Sequence, residues 1–178
     1  GYKFYFDNKI GLSNRQKIRI RWYGLSKEKA LKPTLEFKMK HGQLGDKWSF
    51  PLNDFDVKKF LKNKNLIELL KSSSVPDWVL HECSDLQPSL INSYRRCYYL
   101  SKDKRFRLTV DRDLKYFSLG ADKLLPESYL NDDQVVIELK YAQKDDDDAN
   151  KVLSLFSTIV TRSSKYVNGI DLAYDFPN

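Results

Sequence analysis

Lys17-Ile18-Arg19-Ile20-Arg21-Trp22-Tyr23-Gly24 alternates cation and apolar residue over six positions, continues to Tyr23 and stops at a glycine. A period of two is the mark of a half-buried strand, so Lys17, Arg19 and Arg21 share one face and Ile18, Ile20 and Trp22 the other. Leu35-Glu36-Phe37-Lys38-Met39-Lys40 repeats the pattern and puts Glu36, Lys38 and Lys40 together. Residues 46–50 are expected to return across the turn His41-Gly42-Gln43-Leu44-Gly45.

Working outward, residues 94–100 and 105–110 flank a turn at 101–104 and read as a hairpin. Val135-Val136-Ile137-Glu138-Leu139-Lys140-Tyr141 is a further strand, with Glu138 and Lys140 on one face. The opening residues 2–8 also read as a strand. Asp54 is the expected N-cap of a helix to about Lys71, interrupted near Asn63–Asn65, and a second helix is expected over residues 149–160. The run Asp145-Asp146-Asp147-Asp148 before it suits a helix start, where acidic side chains complement the dipole.

Composition limits what these elements can do. The 178 residues carry 31 Lys+Arg against 24 Asp+Glu, a formal +7, and residues 1–40 alone hold eleven cations against three acids. With 41% hydrophobic residues and 13% aromatic residues the chain folds, and its length suits one domain over residues 1–178. No apolar run approaches the roughly 20 residues of a membrane span. Two cysteines, Cys83 and Cys97, make no disulfide framework and no metal-ligand spacing, so a reducing compartment such as the cytoplasm is expected.

An ordinary half-exposed strand has mixed polar residues on its wet face; here they are almost all cationic, and on a flat sheet such rows repel. Closure into a barrel would leave the apolar face outward under the two helical segments and turn the cations into a charged lumen. Arg19, Arg21, Arg96 and Arg107 favour phosphate, because a guanidinium donates two parallel hydrogen bonds to its oxygens. Glu36 and Glu138 among them either neutralise a neighbour or hold a divalent cation. Lys140 either joins the anion site or pairs with Glu36 or Glu138. His41 and His81 are poor catalytic candidates. Trp22, Phe37 and Phe106 fall opposite Arg21, Lys38 and Arg107, which argues against a nucleic-acid-binding sheet.

Six ordered motifs, Lys17-Ile-Arg-Ile-Arg-Trp-Tyr-Gly24, Leu35-Glu-Phe-Lys38, Tyr94-Arg-Arg96, Phe106-Arg-Leu-Thr-Val-Asp111, Ile137-Glu-Leu-Lys140 and Ser164-Lys-Tyr-Val-Asn-Gly169, resemble the VTC (vacuolar transporter chaperone) domain. This is the polyphosphate polymerase branch of the triphosphate tunnel metalloenzymes, in the CYTH-like superfamily. The resemblance implies an α+β fold, an antiparallel β-barrel tunnel with helices outside, that moves the γ-phosphate of ATP onto inorganic polyphosphate with Mn²⁺ or Mg²⁺. It further implies that Arg19, Arg21 and Lys38 bind phosphate with Lys17, Lys40 and Lys140 beside them. Arg96, Arg107 and Lys165 would serve the reacting phosphates, and Glu138, with Glu36 as a second candidate, the metal. The family normally begins with one more tunnel strand than this sequence presents, so the barrel is expected to lack its first strand here. A hydrolase of ATP or triphosphate in the same fold, and a non-catalytic polyanion binder, are the alternatives.

Overall fold

The computed structural model describes residues 2–24, 28–42, 44–119, 129–156 and 160–174. They fall into two compact units, one from residues 1–89 with 119–127 and one from residues 90–118 with 128–178.

The first unit contains, in order, α1 (Lys3–Lys9), β1 (Asn14–Arg21), β2 (Lys29–Ala30), β3 (Thr34–His41), β4 (Leu44–Pro51), β5 (Phe55–Asp56), α2 (Val57–Asn63), α3 (Leu66–Ser72) and α4 (Asp77–Glu82). Its main sheet is antiparallel in the order β1-β3-β4. The register sets Lys17 opposite Lys38 and Lys38 opposite Lys47, and in the next row Arg19, Glu36 and Ser49. The alternation therefore survives intact as a cationic face. Its other face supplies Leu35 and Phe37 to a core completed by Leu66, Leu69 and Leu70 of α3, Val75, Val79 of α4 and Cys83. The Trp78 ring lies 5.5 Å from that of Phe37 and 5.6 Å from those of Trp48 and Phe50. Within this unit the cover over Ile18, Ile20 and Phe37 comes from the segment between residues 55 and 86. The helix expected over residues 149–160 belongs to the other unit.

Two local expectations are corrected. Residues 2–8, read as a strand, form the N-cap, Tyr2, and most of α1, with Tyr5 buried and Phe6 exposed; a short aromatic-rich run carries too little periodicity to separate the two. The N-cap of α2 is Asp56, which accepts from Lys59 N at 2.7 Å, whereas Asp54 accepts from Lys32 N at 2.7 Å. The interruption does fall at the expected place: Lys64 adopts φ 50°, and Asn65 then caps α3, accepting from Glu68 N and donating to its carboxylate.

The second unit contains β6 (Leu90–Leu100), β7 (Arg107–Ser118), β8 (Leu130–Asp132), β9 (Val136–Lys140), a 3₁₀ turn (Gln143–Asp145), α5 (Asp146–Leu153) and α6 (Lys165–Ala173). β7 pairs with β6 along one edge and with β9 and then β8 along the other, all antiparallel. Between the pairs Arg95↔Arg112 and Ser93↔Lys115, β7 spends three residues where β6 spends two. Asp113 sits at that bulge with φ 56°. The extra residue puts Asp111, Leu114 and Tyr116 in phase, and all three are buried. α6 packs against β6 and β7. At Gly169 a Cβ would stand 2.4 Å from Tyr116 Cδ1 and 2.6 Å from Leu90 Cδ2, so only glycine admits this approach. The expected helix over 149–160 is realised earlier and shorter, as α5, with residues 157–159 outside the described ones.

The class is thus α+β with antiparallel sheets. Among the described residues the strand pairings form three separate sheets and close no barrel.

Candidate functional site

In the first unit the cationic face is organised by one carboxylate. Glu36 is 2% exposed; its Oε2 accepts from Arg19 Nε at 2.8 Å with Nη2 at 2.6 Å, while Arg21 Nη2 and Lys47 Nζ lie 2.9 and 2.8 Å from Oε1. Three cations on one anion leave a local charge of +2. Burial pushes the Glu36 carboxyl up, and hydrogen bonds from Lys47 and Arg19 with the charges of Arg19 and Arg21 outweigh it, so it stays below its ordinary value. Arg21 also donates to the Tyr23 hydroxyl, its Cζ 4.9 Å from that ring centroid. Lys17 and Lys38 flank this cluster in the next row of the sheet, with Lys40 beyond. Lys38 and Lys40 make no ion pair among the described residues. Lys47 was missed because β4 carries a single cation at the alternating positions, which is no pattern.

In the second unit a smaller cluster surrounds Asp111, 2% exposed in its side chain. Arg96, directly opposite on β6, donates from Nε at 2.5 Å to Oδ1 and from Nη2 at 2.6 Å to Oδ2; Lys165 Nζ, from the first position of α6, lies 2.6 Å from Oδ2. The Tyr94 ring serves both cations, at 5.2 Å from Arg96 Cζ and 4.8 Å from Lys165 Nζ. Burial acts to raise the Asp111 carboxyl, but hydrogen bonds from Arg96 and Lys165 bring it below the usual carboxylate range, and the Arg96 guanidinium is correspondingly held charged. Asp111 is the main residue that reading the strands leaves out: its alternation phase matches Arg107, but nothing in sequence says that two cations converge on it.

Farther along the same face, β7 sets Arg107 opposite Lys140 of β9, and Thr109 opposite Glu138. Lys140 pairs with Glu138 at 3.4 Å, one of the two partners expected for it. Arg107 makes no ion pair among the described residues. Arg105 instead reaches Asp103, Asp145 and Asp148 at 2.7, 3.1 and 2.9 Å, so the acidic run both starts α5 and holds the hairpin turn. Trp22 packs edge-on with Phe55 and Phe37 is buried, but Tyr23, Tyr94 and Tyr98 accompany the cationic faces as ring partners of Arg21 and Arg96.

Among the described residues no three His, Cys, Asp or Glu side chains form a metal-holding group. Glu36, one of the two metal candidates, has cations of Arg19, Arg21 and Lys47 within 2.9 Å of its oxygens, the arrangement expected of a carboxylate that neutralises its neighbours. Glu138 is half-exposed and lone apart from Lys140. A single accessible carboxylate is chemically suited to Mg²⁺ or Mn²⁺ as an oxygen donor, and by itself makes no protein cage for either.

Fold and site together define an α+β protein whose antiparallel strands carry carboxylate-anchored cations suited to phosphate. The model of the VTC domain family matches residues 1–174, across both units, and the chain belongs to that family. No curated protein matches it in direct sequence comparison.

Proposed function

We propose that this chain is the polyphosphate polymerase domain the resemblance implies, using ATP as donor and inorganic polyphosphate as acceptor. The observation that carries the reading is the pairing of anchored and unpaired cations on the same strand faces: Arg19, Arg21 and Arg96 are fixed by buried carboxylates, and Lys38, Lys40 and Arg107 are left without an ion pair among the described residues. Fixed cations hold a triphosphate in one geometry; unpaired ones gain their counter-charge only when it arrives. The closed barrel tunnel is part of this proposal, as are a cytoplasmic setting and the metal.

Phosphoryl transfer needs in-line positioning and charge neutralisation more than covalent chemistry. A terminal oxygen of the polyphosphate chain attacks the γ-phosphorus, the bond to the β,γ-bridging oxygen breaks, and ADP leaves. The acceptor is already an anion, so no general base is required. In the first unit Arg19, Arg21, Lys38, Lys17 and Lys40 would hold phosphates, and in the second Arg96, Arg107, Lys140 and Lys165 would neutralise phosphate oxygens that gain charge. Mn²⁺ or Mg²⁺ at Glu138 would supply further neutralisation of the phosphate oxygens.

Incubation of the protein with ATP and Mn²⁺, with products resolved on a gel stained for polyphosphate, tests this. ADP with long chains is the expected result. ADP with free phosphate alone would instead establish the triphosphatase, and no turnover with tripolyphosphate binding retained would establish a polyanion binder.

A further inference from the structure

We infer that Asp111 is a positioning residue: its carboxylate fixes where the Arg96 guanidinium and the Lys165 ammonium present themselves to a triphosphate. The inference rests on reading this face as a phosphate site.

A carboxylate 2% exposed costs free energy unless it is fully partnered, and Asp111 is partnered by two cations from different elements, β6 and α6. It takes the Nε–Nη2 edge of Arg96 and a single direction of the Lys165 ammonium. Lys165 stands at the first position of α6, where the helix dipole disfavours a cation. Asp111 offsets that, and the close contact of Gly169 on Tyr116 fixes the rest of the helix. The Tyr94 ring lies against both cations, and the Tyr98 ring also stands near Arg96. Lys165 thus has little freedom, at 15% exposure, and its direction is set by the carboxylate.

Charge and position make opposite predictions here. As a charge alone, Asp111 removes one positive unit from an anion site, and its neutralisation would tighten phosphate binding. As a positioning group, its neutralisation releases two aligned donors and weakens binding even though the site becomes more positive.

Calorimetric binding of inorganic tripolyphosphate separates them and needs no turnover. It would compare the full chain with Asp111→Asn, Asp111→Glu, Lys165→Met and the Asp111→Asn/Lys165→Met double variant, each checked by circular dichroism and denaturant unfolding. The expected result is roughly tenfold weaker binding for Asp111→Asn, about the value of one charge-assisted hydrogen bond. Asp111→Glu, which keeps the charge and moves it by a methylene, should also weaken binding. The double variant should lose less than the product of the two single losses. Equal or tighter binding by a folded Asp111→Asn, or fully multiplicative losses, overturns the inference. If Asp111→Asn does not fold, wild-type affinity in Asp111→Glu overturns it equally. A wild-type chain that binds no tripolyphosphate defeats the phosphate-site reading as well, whereas one that binds it but makes no polyphosphate from ATP defeats the polymerase reading alone.

Discussion

Glu36 and Asp111 are the same device built in two ways. Each is a carboxylate 2% exposed on a strand face, holding an arginine directly opposite it in the sheet through Nε and Nη2. Around Glu36 every partner comes from the three-stranded sheet itself, and Arg19 and Lys47 keep 47% and 52% of their side chains in water. Around Asp111 one partner comes from a helix, and Arg96 and Lys165 keep only 25% and 15%. A sheet alone can thus concentrate cations where water still screens them; a helix is needed to hold two of them at low exposure.

The difference predicts unequal costs. Asp111→Ala should be the most damaging of these changes, about 3–5 kcal/mol by denaturant unfolding, because it strands two poorly hydrated cations. A loss under about 1 kcal/mol would erase the contrast. The pH dependence has a definite sign. Both carboxyls are depressed in the folded state, so the stability they add is complete above their unfolded values near 4 and is lost as pH falls through the lower folded ones. The gap in Tm between wild type and Asp111→Asn should therefore hold at neutral pH and narrow as the pH falls below about 4.

Gly169→Ala should cost about 1–3 kcal/mol, since the new methyl meets the buried Tyr116 ring, and it should shift the Lys165 signals in NMR spectra without touching the Glu36 cluster. Glu36→Ala should cost about 1–2 kcal/mol, because the half-exposed cations left behind rehydrate, and 0.5 M salt (about a 4 Å screening length) should reduce the penalty further. Arg105→Ala, which breaks an exposed network of three aspartates, should cost less than any of these in the same unfolding assay, because water and salt screen such pairs. A larger loss would mean that the hairpin turn is held by more than surface charge.

The strands of both faces were legible because a cation at every second residue has only one regular explanation, and the observed registers keep Lys17, Arg19, Lys38 and Glu36 on one face. The helix break at Lys64 was legible from its local Asn-rich sequence. The α1 segment was not, because Tyr-Lys-Phe-Tyr-Phe-Asp-Asn reads equally as a strand or as about two helical turns. Lys47 and Asp111 were invisible for a different reason. A lone charged residue on a strand has no pattern, and its meaning is supplied by what faces it.

The sequence by itself determined the α+β class, the phase of each cationic strand and the chemistry those cations select, since alternation and charge are properties of neighbours along the chain. Only the tertiary structure decided which carboxylates anchor them. The bulge at Asp113 shifts β7 by one residue, and that shift, with the approach of α6 allowed by Gly169, brings Arg96, Asp111 and Lys165 together across 69 residues of chain.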